Sequence, residues 1–284
     1  MIKAQAPRIL YNPFPKTNYL EQGDYGHILR FPDTVIVLKI PHRIINGAPH
    51  EEARAAESLK ALKRDRAIYE TLATKPTHPN TVQYFLSTDL AIFIKFEPDT
   101  LEKRLDRPFT VPISEGRQHR WIMEIARAAS WLESLDYVHG DIRPAKILLD
   151  GFEHVNICDF RRTTTRGCEI EVATFPTYRP GTHAIAGPAH EQFAIGSCIM
   201  HRALLRGDYP STVEDSTLGP VTLSCWNAHY GSMKDVEHAI EITIGVMERQ
   251  DDVAAHISTT EYNACIQKCR DFLFQHEQGD ILME

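Results

Sequence analysis

The sequence lacks any long apolar run. Nowhere does it approach the roughly 18 consecutive apolar residues of a membrane-spanning helix, and its opening stretch, MIKAQAPRILYNPFPKTNYL, holds no unbroken apolar core of signal-peptide length. A soluble, intracellular chain, cytoplasmic or nuclear, with no membrane partner is the expectation. Positive charge is not in excess either. With 31 Lys and Arg against 38 Asp and Glu, the formal net charge is −7. No broad basic field is on offer to nucleic acid, so no nucleic-acid partner is expected. The six cysteines, at 158, 168, 198, 225, 265 and 269, form no CxxC pair and no His/Cys cluster at zinc spacing. They read as reduced thiols, with Cys265 and Cys269 four apart on one face of a helix. Repeats and low-complexity segments are absent.

What is present is a folding sequence. A chain of 284 residues that is 43% apolar can bury a large core, in one two-lobed domain or two ordinary ones. The first third reads as a small sheet with one helix. YLEQGDYGHILRF, TVIVLKI, NTVQYFL and LAIFIKF are short runs rich in β-branched and aromatic residues, bounded by turn signals. Between the second and third lies a long helical segment, HEEARAAESLKALKRDRAIYETLA, in which Leu62, Asp65, Tyr69 and Leu72 recur at helical steps on one face. A carboxylate on an apolar stripe needs a partner, because an unpaired buried charge is costly. Two partners suit Asp65: a basic residue of its own helix at the solvent edge, or Lys39, the one charge in the strand VIVLKI.

The remainder reads as mainly helical. Trp121, Ile122, Ile125, Ala129, Leu132 and Leu135 mark one amphipathic helix, EQFAIGSCIMHRALLRG a second, and EYNACIQKCRDFLFQH the last. Pro98 marks the junction between the two parts.

Taken in order, GDYGHI, VLK, an inward acid on a helix, HPN, HGDIRP, DF and a helix with FAIGS resemble the eukaryotic protein kinase family over about residues 19–270. The spacing of 18 residues between Asp141 and Asp159 carries much of that likeness. The resemblance implies a two-lobed α+β fold: a leader over 1–18, a small β-rich lobe with one long helix over about 19–96, and a larger, mainly helical lobe over about 97–284. It implies ATP and magnesium, as few as one ion, and a protein substrate or partner. It also implies roles. Gly23 and Gly26 would let the backbone approach the ATP phosphates, Lys39 would hold the α- and β-phosphates and Asp65 would orient it. Residues 94–99 would hold adenine through backbone groups. Asp141 would accept or orient the substrate hydroxyl's proton, Arg143 would steady the γ-phosphate in the manner of serine/threonine kinases, and Asp159 would ligate magnesium. Thr163, Thr164 and Thr165 are candidate phosphorylation sites.

Several residues depart from the family's pattern. Glu21 stands where a glycine is usual, Gly140 where an arginine is, Gly181 where a glutamate is, and Glu191 where an aspartate braces the catalytic loop. Asp65 is one methylene shorter than the family's glutamate, so the pair with Lys39 is expected to close only if the helix moves inward. Arg161 replaces a glycine at a position where backbone freedom is usual. Lys146 replaces the asparagine that ligates a second metal. An amide oxygen has lone pairs to give; an ammonium has none. At 4 Å and an effective dielectric near 20, unit charges repel by about 4 kcal/mol, and a divalent ion by about twice that. Lys146 therefore spoils a metal site, swings out of the way on its flexible stem, or contacts phosphate as a substitute cation.

Three functions fit: a serine/threonine protein kinase with altered metal use, a pseudokinase acting as a nucleotide- or protein-binding scaffold, and a small-molecule phosphotransferase. The first is the reading favoured by the sequence, because Lys39, Asp141 and Asp159 are all kept.

Overall fold

Alternation of apolar and polar residues on either side of a glycine-bounded turn produces the first hairpin. Tyr19–Gly23 (β1) pairs with Gly26–Arg30 (β2), which pairs with Ile36–Ile40 (β3). The computed structural model describes residues 8–9, 19–45, 47–107, 113–170, 185–199, 217–245 and 256–277. Two further strands, Tyr84–Thr88 (β4) and Ala91–Lys95 (β5), complete a five-stranded antiparallel sheet in the order β1-β2-β3-β5-β4.

The period of two along β3 divides its side chains between two faces. Lys39 points toward the long helix Pro49–Leu72 (α1), which begins with a proline and with Glu51 reaching back to the Ala48 amide. Ala61, Leu62, Asp65, Tyr69 and Leu72 form the buried stripe of α1, and Tyr69 stacks on Tyr84 of β4 at 5.7 Å. On the other face, Ile36 and Leu38 join Leu29, Phe31, Phe85 and Phe93 in a core closed by the C-terminal helix Thr259–Glu277. That helix contributes Tyr262, Cys265, Ile266, Cys269, Phe272 and Leu273, with Phe272 packed on Phe31 at 4.7 Å.

The chain forms two compact units, and here one expectation is corrected. The C-terminal helix, assigned from sequence to the helical lobe over about 97–284, lies with the sheet: the first unit comprises residues 1–76, 83–96 and 256–284. The physical reason is the sheet's second apolar face, which needs a cover, and the helix supplies apolar residues at steps of three and four to match. Cys265 and Cys269 are free thiols buried in that contact.

The second unit comprises residues 77–82 and 97–255. A short helix, Leu101–Asp106 (α2), precedes the long Glu115–Ser134 (α3), whose N-cap Ser114 accepts from the Arg117 amide. Trp121, Ile122, Ile125, Ala129 and Leu132 are buried along it. Helix Pro188–Ile199 (α4) packs against it and carries Gly219–Trp226 (α5), and Met233–Ile244 (α6) packs against α3, α4 and α5. The second predicted helix runs past Ile199 into residues outside those described. Trp226 is only half-buried: its ring lies over Gly196, where a Cβ would come within 2.8 Å of it. Between α3 and α4 run the paired strands Ile147–Leu149 and Val155–Ile157. Tyr137–Val138 pairs with Thr164–Thr165. No helix among the described residues is long and apolar enough to cross a membrane.

Candidate functional site

The predicted site residues fall into two groups, one in each unit. In the sheet-bearing unit, Lys39 Nζ lies 2.6 Å from Asp65 Oδ2, with the carboxylate side chain fully buried and the lysine 15% exposed. The shorter acid reaches its lysine, so the pair that the sequence left conditional on the helix position is closed here. Glu21 and Asp24 are exposed at the nearby hairpin.

The two hairpin glycines differ. Gly26 has φ +141° and a Cβ there would sit 2.0 Å from the Ile40 carbonyl oxygen, so the sheet itself demands glycine. At Gly23 a Cβ would meet nothing closer than 4.0 Å, and it is the position of the two that leaves open space above the backbone. Sequence reasoning missed the pair that braces this turn. His27 and His42 are both buried, their rings edge-on at 4.8 Å, and His42 Nε2 contacts the Gly23 carbonyl oxygen at 2.9 Å. Burial, with His42 and Arg54 adding repulsion, pushes the His27 imidazole below its usual range.

The second group is the loop Tyr137–Lys146 and the turn after Val155–Ile157. His139 is fully buried, lies against Phe160 with the two rings tilted, and links both segments: its Nδ1 accepts from the Asp141 amide at 3.2 Å, and its Nε2 donates to the Cys158 carbonyl at 3.2 Å. These partners fix the neutral Nε2–H tautomer, and burial pushes the imidazole pKa down, in the same sense.

Gly140 follows in a left-handed conformation, φ +77°, where a Cβ would lie 2.8 Å from the Arg162 carbonyl oxygen and 2.9 Å from Ile170 Cδ1. The absent arginine therefore has a local cause: no side chain fits this backbone. Gly140→Ala is expected to lower the unfolding free energy by roughly 2 kcal/mol, the left-handed penalty plus the contact, measured by urea denaturation.

Glu191, at the start of α4, braces the same loop. Its Oε1 accepts from the Gly140 amide at 2.9 Å, and the His139 amide also donates to it. Complete burial pushes the carboxyl from an ordinary 4.5 up to about 7 against those two donors, with Glu133 and Asp141 adding repulsion. A raised carboxyl contributes stability that is full below pH 4.5 and lost as pH rises through about 7. The loss amounts to roughly 3 kcal/mol. The difference in urea-derived stability between wild type and Glu191→Gln should follow that slope from pH 5 to 8; a constant difference would show that the carboxyl does not titrate in this window.

Four predicted residues, Asp141, Arg143, Lys146 and Asp159, converge, and Arg161 joins them. Arg143 Nε lies 3.2 Å from Asp141 Oδ1. Lys146, on the short turn Pro144–Lys146, is ion-paired with Asp159 Oδ2. Arg161 bridges both acids, its Nε 3.5 Å from Asp159 Oδ2 and its Nη2 3.7 Å from Asp141 Oδ2. Arg161 needs no left-handed backbone; that conformation falls at Asp159, with φ 68°, a residue type that tolerates it. Arg161 occupies the helical turn Phe160–Arg162 and is 10% exposed, turned inward.

Magnesium does not fit this donor set. Asp159 already carries an ammonium and a guanidinium, Lys146 stands where the resemblance places a second ligand, and the described residues contain no cluster of three His, Cys, Asp or Glu able to hold a metal. The repulsion of a divalent ion by Lys146 alone, about 8 kcal/mol near 4 Å at an effective dielectric of 20, opposes entry. Of the threonines, Thr163 donates to the His139 carbonyl at 3.2 Å, whereas Thr165 is exposed. Gly181 and the surrounding ATFPTYRPG lie outside the described residues.

Comparison with known proteins finds protein kinases among the similar sequences. The sequence model of the family described as protein tyrosine and serine/threonine kinase matches residues 48–167. The serine/threonine-protein kinase GIN4 of Saccharomyces cerevisiae is 24% identical over 171 residues, covering 56% of this chain and 15% of the yeast protein. The serine/threonine-protein kinase fused of Drosophila melanogaster is 24% identical over 169 residues, 56% of this chain and 19% of its own length. The human serine/threonine-protein kinase 32B is 40% identical over 60 residues, 21% of this chain and 14% of its own. The match thus spans less than a fifth of each of these relatives.

Proposed function

Because this chain carries a eukaryotic protein kinase-like domain of two-lobed α+β type, with serine/threonine kinases among its relatives, we propose that it takes ATP and transfers the γ-phosphoryl group to a serine or threonine hydroxyl of a protein, with altered metal use. Kinase domains in general work with ATP and a divalent metal.

The observation that carries the reading is the buried Asp141 carboxylate. Its side chain is wholly buried, lies between Arg143 and Arg161, and sits on a loop tied down by His139 and Glu191. In that role Asp141 orients the attacking hydroxyl and receives its proton. Arg143, 30% exposed, presents the remaining face of its guanidinium to the γ-phosphate. Lys39, oriented by Asp65, holds the α- and β-phosphates, and Gly23 leaves room for the backbone to approach them. Asp159 was the expected magnesium ligand; its carboxylate is engaged by Lys146 and Arg161, so no step is assigned to a metal here.

A second reading, a binding scaffold without transfer, is favoured by that same engagement of Asp159. The two are separated by incubating the purified chain with γ-labelled ATP and a library of serine- and threonine-containing peptides. Label on peptide supports transfer; ATP binding without label supports the scaffold.

A further inference from the structure

Ser58 is a polar residue on the buried stripe of α1, with no exposed surface. A hydroxyl there has to find partners, since an unpaired buried polar group is costly. It finds two, at the glycine hairpin and just after β3. Its Oγ donates to the Tyr25 carbonyl oxygen at 2.8 Å and accepts from the His42 amide at 2.7 Å. His42 carries the connection further. Its Nε2 donates to the Gly23 carbonyl oxygen at 2.9 Å, which in the neutral ring leaves Nδ1 to accept from His27 Nε2 at 3.3 Å. Two carbonyls of the turn are thus held by side chains from outside it, Tyr25 by α1 directly and Gly23 through His42. Holding a carbonyl settles more than the carbonyl. The peptide unit is planar and trans, so fixing the Gly23 C=O fixes the opposite direction of the Asp24 N–H, and fixing the Tyr25 C=O does the same for the Gly26 N–H. Asp65, which holds Lys39, lies two helical turns beyond Ser58 on the same buried face of α1. One face of one helix therefore sets both the lysine of β3 and the backbone of the β1–β2 turn.

From this we infer that Ser58 and His42 are positioning residues for nucleotide binding: they hold the hairpin backbone in the orientation that receives the phosphate chain and tie it to the helix that orients Lys39. The inference rests on the reading that the chain binds ATP, and names two residues to which the sequence pattern gave no role. Neither touches the ligand. What they supply is pre-organisation, because a turn whose glycines allow several backbone orientations loses that freedom on folding and not on binding. A shift of α1 disturbs the lysine and the turn together, since both are fastened to the same helix face.

Titration calorimetry on the full chain, with ATP and separately with adenosine, tests this by isolating the part of binding that depends on phosphate. Ser58→Ala is expected to weaken ATP at least about fivefold, the worth of one net hydrogen bond, and to change adenosine less than about twofold. His42 is tested by length. A glutamine amide nitrogen reaches about as far as Nε2 and keeps a donor for the Gly23 carbonyl, whereas an asparagine stops at the level of Nδ1. His42→Gln should hold ATP affinity within about threefold of wild type, and His42→Asn should lose as much as Ser58→Ala. Joining Ser58→Ala to His42→Asn should add little, because the two residues act as one clamp. A loss shared equally by ATP and adenosine, or ATP affinity unchanged in both Ser58→Ala and His42→Asn, overturns the positioning role and leaves ATP binding standing. Should Ser58→Ala fail to fold, the contrast at position 42 decides alone, and equal affinities of the Gln and Asn variants overturn the role. Absence of ATP binding by the wild type overturns the nucleotide reading itself, and the positioning role with it.

Discussion

Asp141→Asn is expected to lower phosphate transfer from ATP to peptide by roughly a hundredfold to ten-thousandfold, to the background of the assay, while ATP affinity changes little. Asparagine is nearly the same size, so the packing around this fully buried side chain survives. What goes is the negative charge facing Arg143 and Arg161 and the capacity to receive a proton. Arg143 is partly exposed and can turn to water, which limits the structural damage. Label transfer and calorimetry on the same preparation separate the two effects. Equal activity in the variant would remove Asp141 from the reaction, and with it the case for transfer at this loop.

Lys39→Met should cost about 3 kcal/mol of stability, the order found when one member of a buried ion pair is removed. Asp65 has no exposed side-chain surface, so its charge cannot turn to solvent when the ammonium 2.6 Å away is deleted. Asp65→Leu should cost less, because Lys39 is 15% exposed and its flexible stem lets the ammonium reach water. The double substitution is expected to be more stable than Lys39→Met alone. Urea denaturation of the four proteins gives the coupling energy directly. Additive losses would show that the pair is not an energetic unit, whatever its geometry.

The sheet, the buried stripe of α1 and the pair across them were legible because each rests on a periodicity or on a single misplaced charge. Asp65 could be seen on an apolar face, and Lys39 was alone in its strand. The loop around Asp141 was legible through an ordered set of short motifs. Three features were not. That Gly140 is imposed by backbone depends on Arg162 and Ile170, about 20 and 30 residues away in sequence, whose positions no spacing reveals. The inward turn of Arg161 follows from two acids held by different segments. The place of the C-terminal helix was misread because amphipathicity says that a face is buried and not against what. A sheet whose strands alternate two apolar faces needs two covers, and that count was the available clue.

The order of synthesis meets an obstacle in that second cover. The five strands leave the ribosome early, but the helix that closes their outer face emerges only after the whole of the helical unit. At about 5–20 residues per second, the interval between residue 95 and residue 259 is roughly ten to thirty seconds. Throughout it Leu29, Phe31, Leu38, Phe85 and Phe93 have no helix to pack against. The nascent sheet must then be sheltered by a chaperone or remain loosely folded, and any product cut short before residue 259 keeps a permanent apolar face that invites aggregation.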